Sequence, residues 1–67
     1  SHQAARATIP ADPQEAALLR HLHQDPIHLD DIVRQSALSA PQVAGLLTVM
    51  ELKGLVRQVG SLSYVRA

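Results

Sequence analysis

The hydrophobic pattern changes period at Gly54, and no other feature limits the fold of this 67-residue chain as much. Before it, apolar residues recur at the spacing of amphipathic helices. After it, Leu55-Val56-Arg57-Gln58-Val59 and Leu62-Ser63-Tyr64-Val65-Arg66 read as two strands, since side chains of a strand alternate between faces. Gly60-Ser61 joins the two, and a glycine first in a two-residue loop predicts a type II′ hairpin. That register sets Val59 against Leu62, Arg57 against Tyr64 and Val56 against Val65. Arg57 would then rest on the Tyr64 ring, an exposed cation–π contact worth about 0.5–1 kcal/mol.

The helical part is punctuated by its own start and stop signals. Asp12-Pro13-Gln14-Glu15 opens a first helix: Asp12 caps it, Pro13 fits its first position, and Glu15 returns to the cap. Leu18, Leu19 and Leu22 share its apolar side, and Pro26 disfavours helix at Asp25, so the helix is expected over 13–24. Ile27-His28 is too short for an independent strand but can pair at a sheet edge. A second helix is expected over 29–35, with Asp30 and Asp31 in the first turn, where the helix dipole favours carboxylates. Ser36-Ala37-Leu38 makes a turn. Ser39-Ala40-Pro41-Gln42 is a second capping box, opening a third helix over 40–53 that Gly54 closes with a left-handed cap. Ser1 to Ala11 shows no period; residues 1–12 read as a linker or disordered terminus, and Ser1-His2 is open to being a cloning remnant.

Helix, short extended segment, helix, tight turn, helix, hairpin: this order predicts a mainly α winged helix over 13–67, a three-helix helix-turn-helix core with a hairpin wing. Phe, Trp and Cys are absent and Tyr64 is the sole aromatic, so the core must be aliphatic. The expected core is Leu18, Leu22, Ile32, Val33, Leu38, Val43, Leu46, Leu47 and Met50, closed by Val56 and Val65. Without cysteine, disulfides and thiolate metal sites are excluded, which suits a reducing cytosol. No apolar run approaches the ~18 residues of a membrane span, and no signal peptide opens the chain. A cytoplasmic location is therefore expected.

Six Lys+Arg balance six Asp+Glu. Residues 1–38 carry Arg6, Arg20 and Arg34 against Asp12, Glu15, Asp25, Asp30 and Asp31, net −2, while residues 39–67 carry Lys53, Arg57 and Arg66 against Glu51, net +2. Zero overall argues against a strongly basic nucleic-acid binder, yet a polyanion would prefer the second half.

Three stretches carry a resemblance. They are Pro26-Ile27-His28-Leu29-Asp30-Asp31-Ile32-Val33, Leu38-Ser39-Ala40-Pro41-Gln42-Val43, and Leu46-Leu47-Thr48-Val49-Met50-Glu51-Leu52-Lys53-Gly54-Leu55-Val56-Arg57 with the later Tyr64-Val65-Arg66. Together they resemble the C-terminal winged-helix domain of the DprA/Smf DNA-processing proteins, over about residues 13 to 67. The resemblance implies a parent of two or three domains, whose central Rossmann-like domain binds single-stranded DNA and helps load the RecA recombinase in natural transformation. No Gly-rich phosphate loop is present here, so that DNA site maps onto no residue of this chain.

Two functional readings compete for what remains. In the first, the domain is a protein-interaction module whose third helix meets the parent's central domain, another subunit or a RecA-type recombinase. The outer side of that helix carries Pro41, Ala44, Gly45, Thr48, Val49 and Leu52, aliphatic rather than base-reading, although Leu52 could fold beneath the hairpin. In the second, helix three and the wing bind double-stranded DNA. Lys53, Arg57 and Arg66 near the wing, with Gln42 at the helix flank, are its candidate contacts, and two or three phosphate contacts give only weak, salt-sensitive binding. His21 and His23, two apart on a helix, cannot chelate one ion, so neither metal nor cofactor is expected. Ser39, Asp12, Glu15, Asp30 and Asp31 are all explained by capping. No nucleophile and base need converge, and no enzyme is expected.

Overall fold

The computed structural model describes residues 11–67. The linker expected over 1–12 therefore lies almost wholly outside the described residues. The elements run α1 (Pro13–Leu19), β1 (Ile27–His28), α2 (Leu29–Ser36), α3 (Ala40–Leu52), β2 (Val56–Val59) and β3 (Ser63–Arg66). The strands form one antiparallel sheet in the order β1-β3-β2, so the hairpin takes the short Ile27-His28 segment along its far edge. Among the described residues, three helices with a three-stranded sheet behind a helix-turn-helix make a winged helix.

Both expected capping boxes form. Asp12 accepts from the Glu15 amide at 2.9 Å while Glu15 Oε1 accepts from the Asp12 amide at 3.1 Å. Ser39 and Gln42 repeat the exchange at the start of α3. Each cap contributes about 1 kcal/mol by satisfying amides that the first turn leaves unpaired. At the far end of α3, the Gly54 amide donates to the Glu51 carbonyl and the Leu55 amide to the Met50 carbonyl. With Gly54 at φ +82°, this is a Schellman closure, and only glycine meets that conformation without steric cost.

Leu18, Leu22, Ile32, Val43, Leu47, Met50, Val56 and Tyr64 pack as the core, with Val33, Leu38 and Leu46 half-buried against it. Tyr64 is the unexpected member, and the hairpin register explains it. Val59 pairs with Ser63, Gln58 with Tyr64, Arg57 with Val65 and Val56 with Arg66, one residue away from the expected pairing. The loop is Gly60-Ser61-Leu62, with Gly60 at φ +64° and Leu62 at φ +62°. A slip of one residue turns every side chain of a strand to the other face. Tyr64 accordingly lies on the core face beside Val56 and Ile27, and Arg57 points to the opposite face with Val65. The expected Arg57–Tyr64 stack does not form. Val65 is buried but stands outside the core cluster.

α1 ends at Leu19, five residues short of the expected 24. His21 and Leu22 donate to the carbonyls three residues back, tightening the last turn. Beyond it the His23 carbonyl accepts from the Arg66 amide at 2.8 Å, so the end of β3 draws this segment out of the helical path. α2 starts on a cap not expected from sequence: His28 Nδ1 accepts from the Asp30 amide at 3.0 Å.

Candidate interaction surface

The outer side of α3 is built by the same periodicity that fills the core. Val43, Leu47 and Met50 are fully buried, and the residues about half a turn away must then face solvent. Pro41, Gly45, Thr48, Val49 and Leu52 are exposed, and Ala44 is half-buried. Val49 is 43% and Leu52 83% exposed, so Leu52 does not fold beneath the hairpin. The Schellman closure sends the chain to Leu55, which takes up the packing against the core instead. Thr48 turns its hydroxyl back onto the Ala44 carbonyl at 3.0 Å. A methyl group added at Gly45 would meet nothing within 4 Å. Among the described residues, none of those forming this surface is basic.

The four candidate DNA contacts are placed very differently from one another. Lys53 Nζ reaches across to Glu15 Oε1 at 2.7 Å, where the Glu15 side chain is 2% exposed. Glu15 thus completes the α1 cap and neutralises Lys53 at once, and α3 is tied to the start of α1. Gln42 Oε1 is engaged by the Ser39 amide and hydroxyl, at 3.1 Å each. Arg57 and Arg66 are exposed and make no ion pair among the described residues. They stand at adjacent register positions, 57 opposite 65 and 66 opposite 56, which places them on opposite faces of the sheet. The structure does not bring the four together.

Elsewhere, an open cleft of about 360 Å³ at the end of β3 is lined by Leu22, His23, Gln24, Arg66 and Ala67. Its side chains offer no hydroxyl or carboxylate partner for His23, so no nucleophile–base pair meets there. Among the described residues no group of three or more His, Asp or Glu is placed to hold a metal ion. No helix among them is long and apolar enough to cross a membrane. Sequence reasoning missed the Lys53–Glu15 pair, which joins positions 38 apart and leaves no local signal. Tyr64 and Glu51 were likewise not legible as neighbours. Burial first, and then the Glu51 carboxylate, push the Tyr64 phenol above its ordinary value of 10.0.

The helix-turn-helix core, the wing and the short strand together define the chain as a winged-helix domain. The family model of the DprA winged helix domain matches residues 2–60, most of the chain, and the chain belongs to that family. That match starts ahead of α1 and stops at the wing loop. No curated protein and no solved structure was found to match.

Proposed function

We propose that this domain is a non-catalytic accessory module of a DprA-type protein, acting in the cytoplasm in DNA uptake, natural transformation and RecA loading. Its work is protein docking through the outer side of α3, onto the parent's central DNA-binding domain, another subunit or a RecA-type recombinase. The observation that carries this reading is Leu52, 83% exposed at the C-terminal end of an outer side that otherwise carries Ala44, Gly45, Thr48 and Val49. Base edges are read by Arg, Lys, Asn or Gln, and phosphates by cations. This helix surface presents neither. An exposed apolar patch on a small domain instead marks a contact with another protein.

Charge contact with the DNA backbone is left to Arg57 and Arg66, because Lys53 is paired with Glu15 and Gln42 carries no charge. Two cations on opposite sheet faces supply one phosphate contact each at most to a single duplex. Such binding is weak, unspecific and lost with salt. The test is a titration of the isotope-labelled domain with duplex and single-stranded DNA at low and physiological salt. Resonance shifts confined to the wing that vanish as salt rises are expected. Salt-resistant shifts along α3 would reverse the reading in favour of a duplex-binding helix.

A further inference from the structure

The outer edge of β2 is a second surface, beside the C-terminal end of α3, and its main-chain polarity follows from the ladder. The Ala67 amide donates to the Leu55 carbonyl at 3.1 Å. Residues 55 and 67 are therefore a hydrogen-bonded pair, and in an antiparallel ladder such pairs recur every second residue. Arg57 with Val65 and Val59 with Ser63 continue the series, which turns the N–H and C=O groups of Val56 and Gln58 away from β3. A separate contact agrees: the Gln58 amide donates to Glu51 Oε2, on the side opposite β3. At 3.4 Å that bond is long and easily exchanged. Among the described residues no strand pairs with this edge, and Arg57 and Gln58 are both exposed.

Glu51 supplies the selectivity. Its carboxylate is exposed, stands at the edge on the helix side of the sheet, and makes no ion pair among the described residues. We propose that the β2 edge receives an extended polypeptide segment carrying a basic side chain, which adds a fourth strand and pairs with Glu51. The main-chain groups of Val56 and Gln58 would bind its backbone, and alternate side chains of the segment would face α3, placing a lysine or arginine against the carboxylate. Until such a segment arrives, Glu51 occupies the Gln58 amide and discourages unselective pairing of the edge.

The test uses a synthetic peptide of alternating valine and lysine beside one in which glutamate replaces lysine, with amide hydrogen exchange and resonance shifts as readouts. The lysine peptide is expected to bind at least about tenfold more tightly and to slow exchange at Val56 and Gln58. Glu51→Lys is expected to reverse the preference. Gln58→Pro should keep the fold, since only an outward N–H is lost, and should abolish binding. No binding, equal binding of both peptides, or shifts away from β2 would overturn the proposal. An unfolded Gln58→Pro would overturn the edge polarity on which it rests, and a preference unchanged in Glu51→Lys would overturn the role of Glu51. Leu52→Ser, which removes the apolar side chain from the α3 surface without adding charge beside Glu51, should leave peptide binding intact, so the two surfaces can fail separately.

Discussion

Among the described residues, two other than glycine hold a left-handed backbone, Ala37 at φ +62° and Leu62 at φ +62°. The conformation costs an L-residue roughly 1–2 kcal/mol, because Cβ crowds the following carbonyl. Ala37 ends α2 and turns the chain toward α3, and its side chain is exposed, so glycine there loses no packing. Ala37→Gly is therefore expected to raise stability by about 0.5–1 kcal/mol, after the extra unfolded-state entropy is subtracted. Chemical denaturation measures it, and a loss of stability would show that the methyl group packs. Leu62 is where the sequence misled. Nothing marks a leucine for a positive φ, so Gly60-Ser61 read as a two-residue loop, and the true three-residue loop slid the register by one. That single residue is why Tyr64, expected on the surface beside Arg57, is in the core. His28 was half legible: its strand pairing follows from the pattern, while its cap on α2 depends on a ring rotamer. His28→Asn should retain that cap, and His28→Ala should cost about 1 kcal/mol in a thermal melt.

Element boundaries were legible where the signal is local and misread where it is not. The capping boxes of α1 and α3 and the Gly54 closure lie within a few residues of one another in sequence, and all three form. The end of α1 depends on β3, more than forty positions along, and no window around Gln24 contains that information. The same holds for Lys53, whose position near the wing suggested phosphate contact but whose ammonium joins α3 to α1 through Glu15. Glu15 is the more deeply buried partner, so the two truncations are unequal. Lys53→Met strands a buried carboxylate and is expected to cost about 2–4 kcal/mol. Glu15→Gln added to it removes the stranded charge, keeps an acceptor for the Asp12 amide, and should recover much of the loss. A double-mutant cycle on unfolding free energy reads the coupling, and additive losses would show that the pair contributes nothing. For the surface of α3, Leu52→Glu should stay within about 0.5 kcal/mol of the parent stability and yet weaken association in a pull-down with the full-length protein. Val49→Glu should act in the same direction, with a larger stability loss because Val49 is more than half covered.

At the scale of the whole molecule, sheet and helices are joined at Tyr64, which sits 6% exposed between β1, β2 and the core with the Glu51 carboxylate nearby. Burial disfavours its phenolate, and Glu51 disfavours it further, so the folded state holds the proton above the ordinary value of 10.0. The unfolded chain releases that proton near the ordinary value. Below it both states are protonated and the domain keeps its full stability. As pH rises past 10 the unfolded state ionises first, the folded state binds more protons, and stability falls until Tyr64 ionises within the fold as well. Because Tyr64 is the only aromatic residue, its ultraviolet absorbance reports both tyrosinate formation and loss of the core. Alkaline titration should show tyrosinate appearing above the ordinary range, and denaturant midpoints should decline across the same window. Glu51→Gln should bring the titration down toward the ordinary value without abolishing the shift, since burial is the larger cause. Tyr64→Phe should flatten this part of the pH dependence. A tyrosinate titration at the ordinary value in the folded protein would mean that Tyr64 faces water, as the two-residue loop would have placed it, and the register would then be wrong throughout the wing.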